Sequence, residues 1–81
     1  MLTLENVLKK GNMIYTDFFF VGNEIKGTAI YDISAGRVVE ASYGDRNPLK
    51  DFIYGFGYVK KLLNMMVKAD NYPEKVTFEW Y

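Results

Sequence analysis

The 81-residue sequence predicts an α+β fold, a two-layer α/β sandwich of order α-β-β-β-α-β, in which an antiparallel three-stranded meander and a C-terminal strand pack against one long helix. Three observations predict it. Residues 47–69 place apolar side chains at helical spacing, residues 12–43 are rich in aromatic and β-branched types punctuated by glycine turns, and residues 75–81 alternate with a period of two. One domain over 1–81 follows, with a short N-terminal helix at 1–11, the meander at 12–43, the long helix at 47–69 and the last strand at 75–81.

The leading segment has Thr3 to cap a helix, Glu5 in the first turn, Lys9 and Lys10 in the last and Gly11 just beyond, each charge suited to the helix macrodipole. Leu4, Val7 and Leu8 form its apolar edge. Two turns are unstable alone, so this helix must dock on the body of the domain.

Residues 13–21 read as a strand, and Gly22-Asn23 as a two-residue type II′ turn with glycine supplying positive φ at its first central position. That turn sets Val21 opposite Glu24, Phe20 opposite Ile25, Phe18 opposite Gly27, Thr16 opposite Ala29 and Ile14 opposite Tyr31. Ile14, Phe18, Phe20, Ile25, Ala29 and Tyr31 then share the core face, with the Phe18 ring over the bare backbone of Gly27. A three-residue loop, Ser34-Ala35-Gly36, leads to a third strand at 37–43, with Ile33 opposite Arg37, Tyr31 opposite Val39, Ala29 opposite Ala41 and Gly27 opposite Tyr43. Gly27, Ala29 and Ala41 make a trough for Phe52, Phe56 and Leu63 of the long helix.

That helix opens on Asn47 as cap and Pro48 at the first helical position. Leu49, Phe52, Ile53, Phe56, Val59, Leu63, Met66 and Val67 fall on one face, and a second stripe of Tyr54, Tyr58, Leu62 and Met65 runs beside it. Gly55 and Gly57 are costly in a helix interior and imply a close backbone approach. After Asp70-Asn71-Tyr72-Pro73, residues 75–81 put Val76, Phe78 and Trp80 on one side. A strand reached through a return helix is expected to run parallel to the third or the first strand of the meander.

Composition removes much chemistry. Without histidine or cysteine the chain lacks the commonest general base, the usual zinc ligands and any disulfide, and a reducing, cytoplasmic location is the expectation. Ten basic and ten acidic residues cancel, which does not suit a chain built to neutralise phosphates. The opening Met1-Leu2-Thr3-Leu4-Glu5 has no basic region or long apolar run, so neither a signal peptide nor a membrane span is expected. The glycines match no phosphate-cradling loop, Asp45 and Asp51 lack the ligand spacing of a calcium loop, and no nucleophile has a positioned base. No cofactor, metal or catalytic residue is therefore assigned.

The order of a helix, three strands and a helix resembles that of a double-stranded RNA-binding domain. That family carries a lysine cluster at the start of its second helix, where this chain reads Asn47-Pro48-Leu49-Lys50-Asp51, one lysine beside an acid. The resemblance covers element order and omits the last strand.

Two candidate contact surfaces remain. The far face of the sheet holds Met13, Tyr15, Phe19 and Ile30 as an apolar patch, with Lys26 and Glu40 as rim and Asp17, Thr28 and Ser42 as a polar row. The second is the stripe of Tyr54, Tyr58, Leu62 and Met65. Together they suggest a small non-enzymatic module acting through a protein partner or as a homodimer. Single-stranded nucleic-acid binding on Tyr15 and Phe19 is the alternative, and small-molecule binding or metal-independent catalysis a second one.

Overall fold

The computed structural model describes residues 1–79, and the expected positions of Trp80 and Tyr81 in the last strand lie outside them. Six elements occur in the order β1 (Leu2–Lys10), β2 (Met13–Phe20), β3 (Lys26–Asp32), β4 (Arg37–Tyr43), α1 (Phe56–Ala69) and β5 (Val76–Phe78). The strands form one sheet of spatial order β4-β3-β2-β1-β5, every neighbouring pair antiparallel, with the helix packed on one face.

The expected N-terminal helix is instead a strand, and an interior one. β1 pairs with β2 on one side and β5 on the other, and its Leu2 and Leu4 are fully buried. The cause is local. Gly11-Asn12 joins Lys10 to Met13 as a two-residue turn with Gly11 at φ 60°, the position at which a type II′ turn needs glycine. Asn6, at φ 54°, is an extra residue between Glu5 and Leu8 that reverses the alternation, so that Leu2, Leu4 and then Val7 all reach the core. Thr16, buried opposite this bulge, donates its hydroxyl to the Glu5 carbonyl at 3.2 Å. With a strand in place of the leading helix, the likeness to a double-stranded RNA-binding domain lapses.

The meander keeps the register read from its pattern, Phe18 opposite Gly27, Thr16 opposite Ala29 and Ile14 opposite Tyr31, though by a different turn. Pairing stops at Phe19 and Lys26 rather than at Val21 and Glu24. Phe20–Asn23 forms the bend, closed by Asn23 N–H on the Phe20 carbonyl at 3.0 Å, with Gly22 at φ 89° as its third residue. Ile25 therefore leaves the sheet and is exposed, not core. Between β3 and β4, Gly27 faces Tyr43 and Ala29 faces Ala41, but an extra residue at Val39 shifts the pairing to Tyr31 with Val38 and Asp32 with Arg37. Val38 is thereby turned from the far face into the core.

The long helix is shorter than its apolar pattern. Asn47 and Pro48 do start a turn, with the Lys50 and Asp51 amides donating to the Asn47 carbonyl at 2.9 and 2.7 Å. That turn lapses by residues 51–53, and Gly55, whose φ of 90° is incompatible with a helix interior, separates it from α1, which begins at Phe56. A Cβ on Gly55 would lie 2.6 Å from the Phe20 ring, so the expected close backbone approach exists, as the junction that stops the helix from extending. Phe52, expected to fill the trough, is 83% exposed. The trough is filled by Phe18, stacked on Tyr43 at 5.7 Å and touched by Phe56 at 5.6 Å, while Val59 and Leu63 of α1 are fully buried. Tyr31 donates its hydroxyl to Asn64 on the helix.

The last strand lies beside β1, which was not among its expected neighbours. It is antiparallel to β1 and so runs in the same direction as β4 and β2, at the opposite edge from β4.

Candidate functional site

With the helix on one side, no other element among the described residues covers the opposite face of the sheet, which is built of four cross-strand rows. Thr77, Thr3, Phe19 and Lys26 form the first; Glu5, Asp17, Thr28 and Ser42 the second; Leu8, Tyr15, Ile30 and Glu40 the third; Lys10, Met13, Asp32 and Arg37 the fourth. Directly opposed side chains on one face of an antiparallel pair are in contact range, so each row acts as a unit.

Four of the expected contact residues, Met13, Tyr15, Phe19 and Ile30, are thus brought together, and Lys26 joins them. Tyr15 is 40% exposed, while Met13, Phe19 and Ile30 are half-buried. Leu8, 57% exposed, extends the patch beside Tyr15. The pattern of residues 1–11 hid Leu8 because a bulged strand places apolar groups three and four residues apart, as a helix does. The detectable signal was the Gly-Asn pair at 11–12, of the same composition as the pair expected to turn the chain at 22–23.

Several of the polar groups pair within the face. Lys26 reaches across β2 to Glu5, Nζ to Oε1 at 2.7 Å, with its ammonium 5.5 Å from the centre of the Phe19 ring. The hydrogen bond Lys26 donates to Glu5, then the Glu5 charge, raises the Lys26 pKa above that of an ordinary lysine, with Asp17 adding a smaller pull. Asn6 donates to Asp17 at 2.8 Å, and the Thr28 and Ser42 hydroxyls pair at 2.9 Å. The Thr3 and Thr77 hydroxyls meet at 3.2 Å. The expected row of Asp17, Thr28 and Ser42 exists, lengthened by Glu5.

The second expected surface is dispersed. Tyr54 lies before the helix and is 73% exposed, Tyr58 packs on Phe78 at 5.4 Å, Leu62 is buried in the core, and Met65 is exposed. Ending the helix at Gly55 is what separates Tyr54 from the others.

Among the described residues no group of three or more acidic side chains is close enough to hold a metal ion, and no helix is long and apolar enough to cross a membrane. No protein-family model, curated protein or solved structure matches the chain.

Proposed function

We propose that this protein works through protein contacts, and that the open sheet face is the surface on which a second copy of the chain docks. The observation that carries the reading is a sheet covered on one side and bare on the other, its bare side centred on Leu8, Tyr15 and Ile30. A soluble chain normally covers or uses such a patch. Self-association is favoured over a strongly charged partner because the same face holds both signs, Glu5, Asp17, Asp32 and Glu40 with Lys10, Lys26 and Arg37, which a twofold axis can set against one another.

Binding of single-stranded nucleic acid to Tyr15 and Phe19 has less support. Lys26, the cation nearest those rings, is engaged by Glu5, and the surrounding carboxylates repel phosphate.

Light scattering behind a sizing column tests the reading. The expected mass is twice the 9.4 kDa of one chain, falling to a single chain for Tyr15→Lys and for Leu8→Lys with an unchanged circular dichroism spectrum. Tyr58→Lys, on the helix, is expected to leave the mass doubled. A mass of one chain at every accessible concentration would remove the self-association reading.

A further inference from the structure

A second site, unconnected with the open face, lies where the tips of β2 and β4 meet the segment between β4 and α1. Phe20, Tyr43, Ile53 and Tyr54 wall a cleft of about 430 Å³, whose lining also includes Met1, Asn23 and Arg46. That volume lies in the range of about 300–1,000 Å³ usual for small-ligand sites. We propose that this cleft binds a small planar aromatic carboxylate, its ring held against the aromatic walls and its carboxylate by the Arg46 guanidinium.

The walls are fixed before any ligand arrives. Phe20 and Tyr43 meet edge to face at 5.8 Å, and the Gly55 backbone presses against the Phe20 ring so closely that a Cβ there would clash. Gly44, at φ 62°, turns the chain directly after β4. Arg46 is anchored twice: its backbone exchanges hydrogen bonds with Tyr43 at 2.9 and 3.0 Å, and Nη2 donates to the Phe52 carbonyl at 2.8 Å. A guanidinium carries five N–H donors, so this anchor holds the group in place and leaves donors for an anion. Among the described residues no carboxylate forms an ion pair with it.

Tyr43 adds a polar handle. The residue is buried, yet its hydroxyl has no hydrogen bond among the described residues. Since no buried side-chain oxygen among the described residues lacks a partner, that hydroxyl is open to water. The charge of the ligand follows from the neighbourhood. The segment between β4 and α1 sets Asp45 and Asp51 against Arg46 and Lys50, a balance of charge that favours a monoanion over a doubly charged phosphate. A planar carboxylate also matches the fork of guanidinium donors.

The test is a titration of the ¹⁵N-labelled protein with 2-naphthoate, followed by amide shifts. Saturable shifts are expected at residues 20–23, 43–46 and 53–55, with 2-naphthylmethanol binding about tenfold more weakly because it lacks the charge-assisted pair. Arg46→Gln should weaken 2-naphthoate by a similar factor while leaving the alcohol unchanged. Equal affinity for acid and alcohol overturns the proposal, as do unsaturated shifts or shifts centred on Leu8 and Tyr15. The acid–alcohol comparison uses the unaltered chain, so it decides the matter even if Arg46→Gln fails to fold. Tyr15→Lys, which abolishes the proposed dimer, should leave the 2-naphthoate titration intact, so the two readings fail separately.

Discussion

Both faces of the sheet carry large apolar side chains, and the two sets are put to opposite uses. On the covered face, Leu4, Ile14 and Phe18 are fully buried beneath Val59 and Leu63. On the bare face, Leu8 and Tyr15 stand on the same strands as Leu4 and Ile14 and remain exposed. Aromatic and aliphatic content is therefore a poor guide to what is core in so small a domain. Which side α1 occupies decides it.

Substitutions that attack each face in turn should reveal the difference, and the largest effect belongs to the covered side. Leu63→Ala removes a fully buried side chain and is expected to cost about 2–5 kcal/mol in urea denaturation, a large share of the roughly 4–12 kcal/mol typical for a chain of this length. Next is Gly27→Ala, whose added methyl would lie 2.4 Å from the Phe18 ring and 2.5 Å from the Ser42 carbonyl. The ring can move but the backbone oxygen cannot, so a loss of about 1–3 kcal/mol is expected in the same measurement. On the bare side, Tyr15→Lys should change the stability of the isolated chain by no more than about 0.5 kcal/mol. If it costs as much as Leu63→Ala, the two faces are not different in kind.

The smallest effect concerns Lys26. Because Glu5 raises its pKa, the Lys26–Glu5 interaction contributes fully below the pKa of an unfolded lysine and is lost as pH rises through the higher folded value. Glu5→Gln should lower the Lys26 titration midpoint, read from its side-chain NMR shifts, and leave stability near neutral pH little changed. An unmoved midpoint would show that the strap across β2 does not hold in solution.

The meander was legible because its hydrophobic alternation specifies a register more strongly than any turn rule. Phe18 meets Gly27 although the bend at Gly22 is not the one expected, since a one-residue slip would expose the whole apolar set. The errors arose where an extra residue changes the phase. Asn6 gives β1 a spacing that imitates a helix, and Val39 exchanges Val38 for Arg37 on the bare face. α1 starts later than its pattern for another reason: Asn47 and Pro48 begin a helical turn that lapses by residues 51–53, and Gly55, in left-handed geometry against Phe20, keeps it from joining α1. Of the candidate surfaces, the bare face followed from alternation. The Tyr54–Met65 stripe assumed an unbroken helix and fell with it.

The phase change at Val39 has a consequence for how many copies can gather. β4 is an outer strand, and an outer strand with regular, unsatisfied amides and carbonyls is a template that each added chain renews, so growth along it never saturates. The kink at Val39 interrupts that array halfway along the strand, and at the opposite border β5 spans three of the described residues. Among the described residues neither border offers a long straight rail for fibrous stacking, so crowding this protein should yield discrete particles of fixed size.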